Sequence, residues 1–461
     1  MDAPSKTLPD GPLIAWYGDD FTGASAVMEV LAFAGLPSML FLEAPTEEQL
    51  ARFPDLKGIG VASTARAQSP GWMATELPAV FAKLSRLKPL LVHYKVCSTL
   101  DSSPEVGSIG RAIEIGHDLF SPTTVPLLVA APQMRRYQAF GHLFAGMGDE
   151  IYRLDRHPVM SRHPVTPMNE SDVARHVAKQ SERLDVHCLS LEALAKRPGT
   201  YPSLPSDGDD RITLITLDCM DASSESAAGH LIWNERHTNP FVVGSQGVTY
   251  ALVRHWQESG LIPVAEAPEG IGEAEPMVVV SGSVSPTTAE QIAWSKSNGF
   301  ASIEFDAAAA CGGTEAVERE IDRAVAAALN AIAANKDPLI HTAEGPDDPA
   351  VDAFKSAVAH SAHDMSSANQ MIGEALGRVL HTVLLRTGTR RAVVSGGDTS
   401  GHATRQLGIF ALTALAPTIP GASIFRAHAN GPMDGLELAL KGGQMGSKDY
   451  FGWIRSGGGR R

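Results

Sequence analysis

Two adjacent carboxylates near the start of the chain are the first residues whose types and spacing could do chemistry. Asp19 and Asp20 stand in the stretch Gly18–Ala24, between a strand-sized apolar run and a helix-like segment. Ligands of open α/β sheets bind beyond the carboxyl ends of the strands, so these acids and Thr22 lie where a substrate hydroxyl can be oriented or deprotonated. One acid near the helix start would be enough to complement the helix dipole, whereas two are present. We favour a catalytic role, with Asp20 as the main candidate and Asp19 as its rival.

A second group combines cations with small hydroxyl residues, again after strand-like runs. Such a mixture suits a substrate that carries a carboxylate and hydroxyl groups, because Arg or Lys binds the former while hydroxyls and Asp bind the latter. For either cation alone, a solvated surface charge explains the residue equally well. The candidate substrate-binding residues are Arg66, Lys95, Ser98, Thr99 and Asp101.

Three glycine-rich turns in the second half of the chain could hold phosphates. They span 281–285 (SGSVS), 395–401 (SGGDTSG) and 441–446 (KGGQMG). Glycines let backbone N–H groups approach a ligand, and a helix that starts at the turn adds partial positive charge. A capped tight turn remains the alternative at each position, and no Walker A motif is present. The candidate nucleotide-binding residues are Ser281, Gly282, Ser283, Gly396, Gly397, Asp398, Thr399, Ser400, Gly442 and Gly443, with Asp398 also a candidate magnesium ligand.

The elements that must position these residues alternate between strands and helices. Apolar runs at 13–17, 37–42, 90–96 and 126–131 are strand-sized, and helix-length stretches separate them. That order is typical of βαβ units and parallel sheets. Residues 263–276, rich in Pro, Gly, Ala and Glu, have linker composition, and a second α/β series follows. We therefore predict two Rossmann-like α/β domains, 1–262 and 277–461, with largely parallel sheets that face each other across a cleft.

Composition narrows the possible function classes. The 461 residues are 44% hydrophobic and 20% charged, with a formal net charge of −14, which argues against general nucleic-acid binding. The four cysteines (Cys97, Cys188, Cys219 and Cys311) form no CxxC pair, and no HExxH motif occurs, so neither a disulfide framework nor a zinc site is indicated. Because the sequence contains no signal-peptide pattern and no long apolar run, we expect a cytoplasmic protein without a membrane partner.

Taken together, the motifs resemble those of the four-carbon acid sugar kinase family. GDDFTGA, the Arg66 and Lys95 segments, SGSVSPTTAEQ, SGGDTSG and KGGQMG occur in the order typical of that family, from about residue 13 to about residue 452. The resemblance implies a sugar-acid domain followed by a nucleotide domain. It also implies ATP and Mg²⁺ as cofactors, and tetronates, 3-oxo-tetronates or 3-oxo-isoapionate as substrates. Many members have a GNIG-like stretch after the Lys95 segment, whereas the corresponding stretch of this chain, Asp101–Gly110, ends in GSIG. This departure leaves open which sugar acid is the substrate, and we favour a 3-oxo form.

The resemblance also implies which domain binds which substrate. ATP and magnesium would bind the second domain, and the sugar acid would bind the first near Asp19, Asp20, Arg66 and Lys95. Phosphoryl transfer to a terminal hydroxyl would follow closure of the cleft. The alternatives are a sugar-phosphate lyase or aldolase that uses Lys95, and a non-catalytic sugar-acid sensor. The sequence leaves the oligomeric state open, a homodimer included.

Overall fold

The computed structural model describes residues 7–196, 200–201, 210–361 and 363–461, and of Asp398 it describes the backbone only. The described residues fall into two compact units, the first ending at Glu266 and the second running from Ala267 to Arg461. The division lies inside the segment that has linker composition. Both units are of the α/β type with largely parallel sheets, so the predicted fold class is confirmed.

The first unit alternates strands and helices over most of its length. Its described strands are β1 (Ile14–Gly18), β2 (Ser38–Phe41), β3 (Gly58–Ala62), β4 (Leu91–Lys95), β5 (Val125–Leu128), β6 (Arg136–Ala139), β7 (His142–Met147), β8 (Glu150–Arg153), β9 (Leu184–Leu189), β10 (Ile212–Leu217) and β11 (Phe241–Gly244). Its described helices are α1 (Phe21–Phe33), α2 (Glu47–Ala51), α3 (Pro70–Arg86), α4 (Ile109–Phe120), α5 (Val173–Ala178), α6 (Leu191–Lys196), α7 (Ala222–Asn234) and α8 (Gly247–Glu258).

Eight of these strands form a parallel arrangement in the order β2-β3-β1-β4-β11-β5-β10-β9. Its register aligns the carboxyl ends of neighbouring strands: Gly18 pairs with Ala62 and with Lys95, and Lys95 pairs with Gly244. Loops that leave these ends therefore start side by side at one edge. A separate antiparallel sheet, β6-β7-β8, was not predicted from the sequence.

Helices with one apolar face cover the sheet of the first unit. Helix α3 begins at the N-cap Ser69 followed by Pro70, a proline that costs nothing at the first helical position. Its buried residues recur at helical spacing and form one face that packs on the sheet: Met73, Leu77, Phe81 and Leu84. Burial of such side chains, roughly 1.5–3 kcal/mol each, supplies the main stabilisation.

The second unit has the same alternation until its last strands. Its described strands are β12 (Val278–Ser281), β13 (Phe300–Glu304), β14 (Asp337–His341), β15 (Arg391–Ser395), β16 (Ile409–Ala416), β17 (Ile424–Ala429) and β18 (Glu437–Lys441). Its described helices are α9 (Pro286–Lys296), α10 (Ala307–Ala310), α11 (Thr314–Ala333), α12 (Pro349–Ala359), α13 (Met365–Thr387), α14 (Gly397–Gln406) and α15 (Tyr450–Arg455).

Strands of the second unit follow the order β13-β14-β12-β15-β18-β17-β16. The first five are parallel, whereas β17 is antiparallel to both β18 and β16. The register aligns Ser281 with His341 and with Ser395, and Ser395 with Lys441. Four adjacent strands thus end at one level, and the three glycine-rich turns leave from three of these ends.

Part of the segment that has linker composition is fixed to the second unit. The N–H of Ile271 donates to the carbonyl oxygen of Gly457 at 2.9 Å, and that of Ala274 donates to Arg455 at 3.0 Å. The buried guanidinium of Arg391 donates from Nη1 to the carbonyl oxygen of Gly272 at 2.8 Å. From Ile271 onwards, therefore, the chain is ordered by hydrogen bonds with the residues around α15. Within the described residues, no helix is both long enough and apolar enough to cross a membrane.

Candidate active site

A single arginine joins the two carboxylates at the end of β1. Asp19 follows β1 directly, and Asp20 is the N-cap of α1, where its carboxylate accepts a hydrogen bond from the N–H of Gly23 at 2.9 Å. The guanidinium of Arg66 donates to Asp19 at 3.2 and 2.7 Å and to Asp20 at 2.6 Å. Asp20 is the more accessible acid, since its side chain is 27% exposed against 4% for Asp19.

Lys95 completes this group of charges from the end of β4. It is buried, its ammonium donates to the carbonyl oxygen of Val96 at 2.6 Å, and a Cβ atom on Gly23 would lie 2.5 Å from Nζ. Its ammonium therefore lies beside the first turn of α1, close to Asp20. With Arg66 it provides two formal positive charges against the two carboxylates. The formal charges of the four side chains therefore sum to zero.

Burial and these charges set the protonation of the site. Burial raises the pKa of Asp19, even though Arg66 opposes the rise. Burial alone would raise the pKa of Asp20 as well, but Arg66 and Lys95 outweigh it and hold that pKa below its ordinary value. Burial lowers the pKa of Lys95, against the effect of both acids. Asp20 is therefore ionised at neutral pH and can accept a hydrogen bond from a substrate hydroxyl.

The remaining predicted substrate-binding residues lie at different distances from this group. Ser98 and Thr99 are almost fully buried in the turn after β4, where the Thr99 hydroxyl lies 3.0 Å from the Cys97 sulfur. Thr22 is partly exposed in the first turn of α1. Asp101 points elsewhere: it accepts a hydrogen bond from the hydroxyl of Thr166 and lies 3.7 Å from His163. Asp101 therefore fixes the proline-rich loop 156–169 to this turn.

In the second unit, the three glycine-rich turns meet. A Cβ atom on Gly443 would overlap the Ser283 hydroxyl, and a Cβ on Gly282 would overlap that of Thr399. Gly396 has a φ of +127° and also faces Thr399, at 2.8 Å from its Oγ1 to a Cβ at that position. These contacts leave no room for larger side chains. Backbone from three separate turns is thereby brought together at the ends of β12, β15 and β18.

Hydroxyl groups at the start of α9 connect the first and third turns. Ser285 is the N-cap of α9, and its hydroxyl donates to the carbonyl oxygen of Gly443 at 2.5 Å. The Thr288 hydroxyl donates to Ser283 Oγ and to the same carbonyl oxygen, both at 3.0 Å. Ser285 and Thr288 were not predicted as site residues, although their positions at a helix start are a recognisable N-cap pattern.

Lys441 lies beneath the third turn and was also missed. It is 1% exposed, and its ammonium donates to Thr288 Oγ1 at 3.3 Å and to the carbonyl oxygen of Gly442 at 3.1 Å. Burial lowers its pKa to about 8. The ammonium also lies 6.0 Å from the centroid of the Phe451 ring, and as a buried cation it places positive charge directly at the turn.

A cavity of about 460 Å³ opens beside the glycine turns. Part of its lining is backbone and hydroxyl groups of Gly282, Ser283, Gly396, Gly397, Thr399 and Gly443. The rest is mainly apolar and includes Val351, Phe354 and Ile372 of α12 and α13, with Lys355 and Asn369 among them. A ligand that combines polar groups with an apolar part fits such a cavity. No local motif indicated the apolar part, because those residues are spaced as ordinary helix faces.

The turns provide few ligands for a metal ion. Among the residues whose side chains are described, no group of three or more His, Cys, Asp or Glu is placed to hold one. Asp398, the predicted magnesium ligand, belongs to α14, but its side chain lies outside the described part of the chain. Mg²⁺ in kinases usually keeps several waters and binds through one or two carboxylates and the substrate phosphates. These hydroxyl-rich turns therefore fit an ion that arrives with a nucleotide.

Comparison with known families assigns the two units. Residues 14–252 match the family of sugar-binding N-terminal domains, and residues 278–451 match the family of nucleotide-binding C-terminal domains. The first match contains the group formed by Asp19, Asp20, Arg66 and Lys95. The second contains all three glycine-rich turns.

Relatives with assigned names cover almost the whole chain. A 3-oxo-isoapionate kinase of Paraburkholderia graminis is 42% identical, over 97% of this chain and 95% of its own length. A 3-oxo-tetronate kinase of Cupriavidus necator is 28% identical, over 96% of this chain and 97% of its own. A solved structure from Salmonella typhimurium LT2 aligns with a TM-score of 0.74 at 23% identity, covering 96% of this chain and 98% of that one, which shows a shared fold.

Proposed function

We propose that this chain, which belongs to the four-carbon acid sugar kinase family, transfers the γ-phosphoryl group of ATP to a terminal hydroxyl of a branched or four-carbon 3-oxo sugar acid. Family membership rests on two domain matches that together span most of the chain and on the 42% identical relative. The chain is accordingly a sugar acid kinase. The observation that best supports the finer proposal is the meeting of three glycine-rich turns around one cavity.

In the second unit, the triphosphate would bind at the polar part of this cavity. Backbone N–H groups near Ser283, Gly397 and Gly443 can approach phosphate oxygens because the glycines carry no side chain, and the N-termini of α9 and α14 add partial positive charge. The base would lie between the apolar side chains of α12 and α13. Asp398 and the phosphates would hold Mg²⁺, which supplies neutralisation of the charge that develops during phosphoryl transfer.

In the first unit, the acceptor hydroxyl would donate a hydrogen bond to Asp20. This carboxylate is ionised, partly exposed, and fixed by the N–H of Gly23 and by Arg66. A carboxylate with a lowered pKa is a weak base, so Asp20 serves mainly to orient the hydroxyl for in-line attack. Asp19, the rival candidate, is almost fully buried and hydrogen-bonded twice to Arg66, so its role is to position Arg66.

Our choice of substrate rests on the names of the similar proteins. The 42% identical relative is named for 3-oxo-isoapionate, whereas the relative named for 3-oxo-tetronate is 28% identical. A branched 3-oxo acid is therefore our first candidate, and 3-oxo-tetronate is the second. Neither a lyase nor a sugar-acid sensor would require the glycine turns and the cavity beside them, so both alternatives are disfavoured.

An ATP-consumption screen over four-carbon and branched sugar acids, with and without a 3-oxo group, tests this proposal. We expect turnover with 3-oxo-isoapionate or 3-oxo-tetronate and a much lower kcat/KM with neutral polyols such as erythritol. Asp20→Asn keeps a helix-capping side chain but loses the negative charge that orients the hydroxyl, so it should fold normally while kcat falls by roughly 10²-fold. Asp55→Asn, at an exposed acid of the same unit, is the control and should leave kcat unchanged. Normal turnover by Asp20→Asn would refute the role of Asp20.

A further inference from the structure

A second arginine, Arg136, lies at the same edge of the first unit's sheet as Lys95. The chain continues from β5 to Ala131, which pairs with Arg136 at the start of β6 through two backbone hydrogen bonds of 2.9 and 3.2 Å. The loop between them contacts the turn after β11, because the Gln246 amide donates to the Met134 sulfur. Strand β11 is the direct neighbour of β4, so this loop lies beside the end of β4.

The guanidinium of Arg136 is held in place but lacks an anion. Its Nη1 donates to the carbonyl oxygens of Met134 at 3.0 Å, Arg135 at 3.2 Å and Gly146 at 3.3 Å. Its Nε is buried and has no hydrogen-bond partner within the described ranges. Of the carboxylates described, none forms an ion pair with Arg136. A buried donor without a partner is costly, and a ligand with an acceptor would remove that cost.

The other two cations of this edge are already neutralised. Arg66 is paired with Asp19 and Asp20, and Lys95 lies beside Asp20. Cys97, in the turn after β4, is close enough to interact electrostatically with Arg66, Lys95 and Arg136. Arg66, Lys95 and Arg136 therefore all lie within electrostatic range of Cys97, and Arg136 is the one of the three whose positive charge no described carboxylate balances.

Among the residues that the structure describes, none near Arg136 offers a carboxylate that would balance this charge. The charge of Arg136 acts on His157: burial and then this charge lower the pKa of His157, so the imidazole is neutral at pH 7. The His157 Nδ1 accepts hydrogen bonds from the N–H groups of Val159 and Met160, at 3.2 and 3.3 Å. The imidazole thus holds the proline-rich loop close to Arg136 without offering it a negative charge.

We infer that Arg136 binds the carboxylate of the sugar acid and is the residue that makes this enzyme select acids over neutral sugars. The inference rests on the proposed function. With the carboxylate at Arg136 and the acceptor hydroxyl at Asp20, a short acid would extend past Cys97. The planar fork of Arg136 can offer Nε and a terminal nitrogen to the two carboxylate oxygens together. Arg66 then serves to hold the two acids rather than to bind substrate.

Steady-state kinetics of Arg136→Gln tests the inference, with the best acid from the screen and with erythritol, a neutral four-carbon polyol. Loss of a charge-assisted contact should raise KM for the acid roughly 10- to 100-fold. The KM for ATP, the KM for erythritol and the increase in melting temperature caused by ADP should stay unchanged. Arg136→Lys keeps the charge but loses the fork, so it should restore part of the acid affinity. The control is Arg135→Gln, at a neighbouring guanidinium that donates only to the backbone carbonyls of Gly148 and Glu150.

Each outcome supports or refutes the inference. An unchanged KM for the acid in Arg136→Gln, or an equal rise in Arg135→Gln, overturns it while leaving the kinase proposal intact. An equal loss with erythritol would show a structural effect and also overturns it. Wild-type protein that phosphorylates neutral sugars and no acid refutes the proposed function itself. If Arg136→Gln does not fold, Arg136→Lys decides the question: its KM for the acid must rise at least fivefold, with the ADP response retained.

Discussion

At the scale of single residues, Lys441 and Arg136 are buried or partly buried cations whose roles depend on contacts that form only in the folded chain. Lys441 faces Thr288, which is far away along the chain, whereas its carbonyl partner Gly442 is the next residue. Its burial follows from the central position of β18 between β15 and β17. A sequence motif such as KGGQMG suggests the glycines and leaves the lysine unassigned.

The depressed pKa of Lys441 predicts a pH-dependent stability. In the folded protein Lys441 loses its proton as the pH rises through about 8, whereas in the unfolded chain it keeps the proton up to the ordinary value of 10.5. The folded state then binds fewer protons in this window, so its stability relative to Lys441→Met must rise with pH. We expect a rise of about 2 kcal/mol between pH 7.5 and 9.5. Urea unfolding of both proteins, followed at the transition that ADP shifts, measures the difference, and a flat difference would contradict the prediction.

Residue identities could be predicted from the sequence better than residue roles. Asp19, Asp20, Arg66 and Lys95 are recognisable from their types and from their positions after strand-like runs. That Arg66 binds both acids could not be inferred, because its orientation depends on a 3-10 turn after β3 and on a backbone hydrogen bond to Asp19. Asp101 was grouped with the substrate-binding residues, but its contacts are with Thr166 and His163 of a distant segment.

At the scale of elements, the strands that carry the site were predictable and the remaining ones were not. The run at 37–42 contains β2, and the runs at 13–17 and 90–96 overlap β1 and β4. These strands are buried on both faces, and continuous apolar sequence indicates them. The antiparallel strands β6–β8 mix polar and apolar residues, so their pattern does not stand out.

The backbone geometry of the second glycine-rich turn predicts how substitutions there affect stability and ATP binding. Gly396→Ala places a side chain at a φ of +127° and next to Thr399, so it should cost about 1–3 kcal/mol of stability and raise KM for ATP at least tenfold. Gly401, in the same helix α14, faces open space. Gly401→Ala is the matched control and should retain the ADP-induced rise in melting temperature, with unchanged or slightly higher stability. Equal behaviour of the two variants would argue against a nucleotide at the second turn.

At the scale of the whole molecule, the assignment of one ligand to each unit can be tested directly. Asp20→Asn alters the first unit only, so ADP should raise its melting temperature as much as it does in the wild type. Gly443→Ala makes a Cβ overlap the Ser283 hydroxyl in the second unit, so it should lose the ADP response and still bind the acid found in the screen. Thermal shift with ADP and calorimetry with the acid separate the two effects. A variant that loses both ligands would contradict this division.

The alignment of strand ends has a consequence for how such enzymes diverge. In each unit the strands end in register, and the residues proposed to contact ligands stand in turns just beyond them or in loops that those turns hold. Natural selection can therefore change the exposed and partly exposed positions of 97–110 and 132–168 while their core residues, such as Leu143 and Leu154, stay unchanged. New acid preferences would then arise through a handful of changes in these stretches, and the machinery that handles ATP would be inherited unaltered.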